Sequence, residues 1–297
     1  MNTVSAVPQQ GPKPRRLTLG RIGIYAVLIA MALFYLLPFY VMLTTSLKTM
    51  PEIRLGQILA WPQDITFAAW KAAWSETCTG IDCSGVSAGF WNSLRISAVS
   101  VSVSVLFGAF FGYTLSFWKV RGMTVLFTLL MLGAFIPYQV FLYPMVRAMA
   151  ALQIYNTFAS ICLVHIIFGL PITTMLFRNY YATLPQELIS AARIDGAGFL
   201  RIFRKIVLPM SGPMLIVAVI LQLTGIWNDY IIGLVFGGTE NRPMTVQLNN
   251  IGGSETGERF YNVNMAATIL TAAVPMIVYF LSGRWFERGV TAGAVKG

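Results

Sequence analysis

The chain is 297 residues long, with 56% apolar and 11% charged residues, a formal net charge of +10 and a mean hydropathy of +0.68. So apolar a composition excludes an ordinary soluble domain and describes a polytopic membrane protein. The basic residues sit in loops rather than on one face interleaved with aromatics, which argues against a nucleic-acid partner and for charge-set membrane orientation.

Residues 1–21, polar and basic with Pro8, Pro12 and Pro14, read as a disordered cytoplasmic tail ahead of a transmembrane domain over 22–297. Ile22 to Leu43 is long enough to span and is read as a retained first crossing rather than a cleaved signal core. Further spans fit at Trp91 to Trp118, Val125 to Met149, Phe158 to Phe177, Met210 to Phe236 and Asn264 to Ser282, each near or above the roughly 20 residues a bilayer needs. Six helices result. With the amino terminus inside, the inner segments hold 14 of the 21 basic residues. That asymmetry predicts that both termini and the polar stretch Gln186 to Pro209 are cytoplasmic.

The segment after span one, Lys48 to Phe90, carries Trp61, Trp70, Trp74 and the pair Cys78 and Cys83. Outside the inner membrane thiols oxidise, so the pair reads as a candidate disulfide, with two free thiols as the alternative. Cys162, inside span four, reads as a small packed hydrophobe. The single histidine, His165, is either an interior hydrogen-bonding residue or a pathway residue. Nothing has metal-ligand spacing.

Spans three and four are expected to be interrupted by Pro137 and Pro171. Polar groups lie close by: Tyr138, Gln139 and Tyr143 beside the first, Thr173 and Thr174 beside the second. With Gln222 and Asn228 in span five, Tyr138, Gln139, Thr173 and Thr174 form a candidate path for a neutral polar solute. The alternative is helix packing alone. No span carries a charge near its centre, as an ion-coupled carrier would be expected to. The phosphate-binding loop G-x-x-x-x-G-K-[ST] and the zinc motif H-E-x-x-H are both absent from the sequence. No catalytic residue and no cofactor of its own are therefore assigned, and an energy source on a separate ATPase fits best.

Gln186 to Pro209 is the long polar segment between two apolar ones. Leu188, Ile189, Ala192, then Phe199, Ile202, Phe203 and Ile206 recur at helical spacing. The spacing predicts two short helices with a bend at Asp195 to Gly198, where an acid caps and two glycines tolerate positive φ. Arg193, Arg201, Arg204 and Lys205 line the outer faces. Such a segment suits a helix at the membrane surface that fits a groove on another protein; an unpartnered interfacial helix is the alternative.

Here the sequence resembles a known family. Glu187, Ala191 and Ala192, Asp195 and Gly196, and Ile206 with Leu208 and Pro209 are similar to the EAA motif, the coupling helix of permease subunits of bacterial ABC importers. The sequence departs from that pattern at Ser190, where the family places an acid before the alanine pair. The resemblance implies a type I importer fold, all-α with six transmembrane helices, in the bacterial inner membrane. It also implies that Glu187, Ala191, Ala192, Asp195, Gly196, Gly198 and Arg201 contact an ATPase, which holds ATP and magnesium.

Span five ends in Trp227, Asn228, Asp229 and Tyr230, at the outer interface, where Trp227 and Tyr230 read as an aromatic belt or as substrate contacts. The polar loop after it and the chain end resemble the carbohydrate-uptake, MalG-like branch of these permeases, as do Phe90 to Leu94 and Leu170 with Pro171. In appearance the chain is nearest glucose or mannose permeases, with α-glucosides as the alternative. The resemblance assigns the loop Thr239 to Glu258 to an extracytoplasmic sugar-binding protein, through Arg242, Gln247, Asn249, Asn250 and Glu255. It assigns the tail 285–297, through Thr291, Gly293, Lys296 and Gly297, to the ATPases. The partners implied are a homologous second permease, two ATPase subunits, the binding protein and membrane lipid. An ion-coupled carrier is the competing reading, with a membrane enzyme or scaffold third.

Overall fold

A computed structural model of the chain describes residues 18–79, 83–118, 121–252 and 259–294. Among the described residues all regular structure is helical. The first helix, α1 (Leu19–Ser46), is apolar throughout, and its buried residues, Thr44 and Ser46, lie at its far end. Two short helices follow, α2 (Met50–Arg54) and α3 (Ala68–Ser75). Then comes the long α4 (Ser87–Phe117).

The central crossing is α4 packed along α7 (Phe158–Tyr181), the most extensive helix pairing in the molecule. Small residues make it possible. Gly108 lies against Thr173, and a Cβ on Gly112 would come within 2.7 Å of the Phe177 Cβ. Ser93, Ser97, Ser100 and Ser104 extend the stripe along α4, all buried. In a bilayer, where burying apolar surface gains nothing over lipid, such close approach supplies the dispersion contacts that join helices. Against α4 lie α11 (Gly212–Asn228) and, beyond it, α14 (Tyr261–Ala294).

Among the described residues four helices are long and apolar enough to cross a membrane alone: α1, α4, α7 and α14 over Tyr261–Gly283. Two bent pairs bring the number to six if each pair is one span. Span three, expected to be interrupted at Pro137, is α5 (Met123–Phe135), a 3-10 turn at Tyr138–Phe141 and α6 (Leu142–Ala151), with 102° between its halves. The cause is Pro137, which removes a donor and drives Ile136 to an extended ψ of 130°. Span four, expected to be interrupted at Pro171, is an unbroken α7 with that proline inside it.

Span five also differs from expectation. The polar segment's second helix, α9 (Phe199–Ile202), does not stop at Pro209. It runs through a π turn (Phe203–Val207) into α10 (Leu208–Met210), and the chain then bends by 79° into α11. A wider π turn accommodates the ring of Pro209, which would clash with the carbonyl four residues earlier in a regular helix. At the far end α11 stops at Asn228, Asp229 is extended, and the expected continuation is a separate helix, α12 (Ile231–Phe236). The expected polar loop is partly helical too, as α13 (Met244–Gly252).

Two apolar clusters result. One joins α4, α7, α11 and the bent segment. The other, at the opposite end, gathers α3, the start of α4, α13, the start of α14 and Trp227.

Candidate functional site

The polar segment forms a protruding elbow whose first arm is α8 (Gln186–Ile194). Asp195 is the C-cap of α8 rather than the start of the next helix, and Gly196 follows with φ +76°. The Gly196 N–H donates to Arg193 O at 3.0 Å and the Ala197 N–H to Ala192 O at 2.9 Å. This is a Schellman closure, which needs a left-handed residue directly after the cap. Of the two glycines expected to use positive φ, only Gly196 does; Gly198 sits at φ −75° as the N-cap of α9.

One face of the elbow is anchored. Ile189, Ala192, Ile202 and Phe203 are buried. The Arg193 guanidinium donates to Phe117 O at 2.9 Å and lies 4.5 Å from the Trp118 ring centre. The Tyr113 hydroxyl donates to Phe199 O at 3.1 Å, and Phe199 and Phe203 pack edge-on against Phe110. The other face is free. Glu187, Ala191, Asp195, Gly196, Gly198 and Arg201 are all exposed. So are three large apolar residues, Leu188, Leu200 and Ile194, the last at 86%. The elbow thus joins a cation-anchored inner side to an exposed apolar tip. Arg193, read from sequence as an outer-face charge, is in part an anchor.

The opposite end is built differently. Gln247, a candidate contact for an outside protein, is 4% exposed and accepts the Gly89 N–H at 2.7 Å. Its role is internal, because α13 folds back onto the start of α4. Asn92 Nδ2 donates to the carbonyls of Glu240 and Arg242. The Asn250 amide donates to Thr79 O at 3.0 Å, inside the loop that the Cys78–Cys83 disulfide closes. Asn249 remains exposed and donates to the Tyr230 hydroxyl. The Arg242 guanidinium donates to Gly238 O. Glu255 lies outside the described residues. Trp227 is neither a belt residue nor a substrate contact. It is 1% exposed, its indole N–H donates to Thr271 O at 2.9 Å, and its ring packs on Phe90.

Of the candidate path residues, Thr173 and Thr174 are buried on α7, and Thr173, packed against Gly108 of α4, donates its Oγ1 to Ser104 O at 3.1 Å. Thr173 sits in a helix seam, and the burial of both leaves no room for a solute. Gln222 Nε2 reaches Gly169 O at 3.4 Å from a half-buried position. Gln139 and Asn228 are exposed. Tyr138 is half-buried and donates to Asp229 Oδ2 at 3.3 Å. Beside it an apolar cavity of about 560 Å³ lies between α5, the 3-10 turn and α7, lined among others by Leu129, Pro137, Phe141, Phe168 and Pro171. Sequence reasoning missed the junction at Asp229, whose only signal was an acid at the end of an apolar run. His165 and Cys162 are buried in α7. Thr291 and Gly293 fall on the last turns of α14, and Lys296 and Gly297 lie outside the described residues. Among the described residues no group of acidic, histidine or cysteine side chains is placed to hold a metal ion.

A family model described as the binding-protein-dependent transport system inner membrane component matches residues 104–292, which include both the elbow and the Asp229 junction. A probable ABC transporter permease protein of Pyrococcus horikoshii is 36% identical over 286 residues, covering 95% of this chain and all of that protein. A glucose import system permease protein of Saccharolobus solfataricus is 30% identical over 282 residues, covering 92% of this chain and 95% of that one. Among solved structures, a chain of a bacterial ABC transporter involved in the import of alginate superposes with a TM-score of 0.77 at 21% identity, over 92% of this chain and the whole of that one. That structural likeness speaks to the fold.

Proposed function

This chain belongs to the family of binding-protein-dependent transport system inner membrane components, and from that premise we propose that it is one of two permease halves of an ATP-driven sugar importer. The single observation that carries the reading is the elbow: a rigid bend anchored on its inner side, with Leu188, Ile194 and Leu200 exposed among charges. It fits a cleft on a cytoplasmic ATPase. The chain itself is a permease without hydrolytic chemistry. ATP and magnesium belong to that ATPase, of which a symmetric importer needs two copies, and a homologous second permease completes the translocation path.

The excess of basic residues on the elbow's side orients that end, and both termini, to the cytoplasm. The cap formed by α3, α12 and α13 then faces outward, where an extracytoplasmic sugar-binding protein docks. Gln139, Asn228 and Gln222 supply amides for a neutral solute on the path between them. The glucose permease relative supports a hexose such as glucose or mannose as cargo, with α-glucosides as the alternative. ATP-driven closure of the ATPases brings the two elbows together and turns the cavity outward; hydrolysis resets it.

The test is purification of the tagged chain from gently solubilised membrane, followed by reconstitution. An ATPase and a second permease in near-equal amount, with ATP-dependent uptake of D-glucose that survives a protonophore, are expected. Recovery of the chain alone, with uptake abolished by the protonophore, overturns the reading in favour of an ion-coupled carrier.

A further inference from the structure

Asp229 is the point at which the outer cap touches the break in the α5 and α6 pair. We propose that it is a positioning residue that transmits displacement of the cap to that break, an inference resting on the docking role given above to the outer end. The residue divides its acceptors among three elements. Oδ1 accepts the backbone N–H groups of Ile232, at 2.7 Å, and Gly233, at 3.3 Å, and so holds the first turn of α12. Oδ2 accepts the Tyr138 hydroxyl at 3.3 Å. The main-chain carbonyl accepts Thr245 Oγ1, on α13, at 2.7 Å.

Each neighbour is set up to pass a movement on. The cap is cross-linked as a unit, with α13 tied to α4 by Gln247 and Ser93 and to the disulfide loop by Asn250. Asp229 itself is extended, in a gap between two helices, so its position is not set by a continuous helical ladder. Tyr138 directly follows Pro137, where the α5 helix has ended and the chain turns by 102°. A broken helix changes its angle at the break, where fewest backbone bonds resist. Displacing Tyr138 also reshapes the apolar cavity that it and Pro137 line.

A capping role alone would use only Oδ1. The coupling role uses Oδ2 and the main-chain oxygen, and these can be removed separately. Tyr138→Phe deletes the hydroxyl while keeping the ring that packs on Phe168. Thr245→Val deletes the α13 contact. Neither touches the α12 cap.

The experiment uses the assembled importer in liposomes and reads ATP hydrolysis with and without binding protein loaded with D-glucose. Each single variant is expected to lower the stimulated-to-basal ratio by at least about five-fold, the low end of ordinary coupling energies. The double variant should be no worse than the poorer single one, because both cut the same chain of contacts. The melting temperature of the assembly should stay at the wild-type value. Normal stimulation in Tyr138→Phe, or losses that multiply in the double variant, overturns the inference. Failure of the wild-type assembly to be stimulated at all would instead defeat the permease reading on which the inference rests.

Discussion

The elbow and the cap at the far end of the molecule put their polar side chains to opposite uses. At the cap, amide and hydroxyl side chains turn inward onto the chain's own backbone, as Gln247 does on Gly89, Asn92 on Glu240 and Arg242, and Asn262 on Lys48. At the elbow the inward bonds are few, chiefly those of Arg193 and Tyr113, and most polar groups face out beside uncovered leucine and isoleucine. A segment that satisfies itself is a structural unit, and an exposed apolar tip among charges is the surface on which the proposed ATPase contact rests. The comparison teaches that polarity alone does not mark a docking site.

Substitutions at the two ends should therefore separate stability from uptake. The largest effect is expected for Trp227→Ala, which empties the centre of the cap cluster and frees Thr271 O. A loss of roughly 3–5 kcal/mol should appear in detergent melting curves and in the amount of inserted protein. Ile194→Glu at the elbow should do the reverse. Uptake should fall about 30-fold, as for a hot-spot residue near 2 kcal/mol, while the melting temperature stays at the wild-type value because the side chain is exposed. A drop in melting temperature would show that the tip is already covered within the fold.

Gln247→Leu should cost about 1–3 kcal/mol of stability by leaving the Gly89 N–H buried and unpaired. If instead binding-protein affinity falls with stability unchanged, Gln247 is a docking contact after all. The smallest effect is expected for Arg193→Lys, which replaces the planar guanidinium over Trp118 by a point charge. About 0.5–1 kcal/mol of stability and a modest loss of uptake should follow, measured side by side. A loss of uptake as large as that of Ile194→Glu would make Arg193 part of the contact surface itself.

Much of this was legible in advance. Hydropathy located the four long apolar helices and the two bent pairs, because about 20 apolar residues in a row have few uses other than spanning a bilayer. The bend of the elbow was legible from Asp195, Gly196 and Gly198, although which glycine takes the left-handed conformation depends on the closure at Ala192 and Arg193. Less legible were the ends of the crossings. Pro137 and Pro171 look alike in sequence, yet one breaks its helix and the other lies within a continuous α7 packed against α4. The surroundings decide, since a helix held along its length by a close-packed neighbour tolerates one missing bond.

Gln247, Thr173 and Trp227 were each misread or left open for one reason. Their residue types suit either solvent or an interior partner, and the partner lies far away in sequence, at Gly89, Ser104 and Thr271. By itself the sequence determined the class, the places of the apolar stretches and the surface-exposed elbow, because those follow from local composition and periodicity measured against water and lipid. Only the tertiary structure decided which polar groups face inward and where Asp229 meets Tyr138 and Thr245. Those are distances between segments some 90 and 16 residues apart, and nothing local in a chain encodes them.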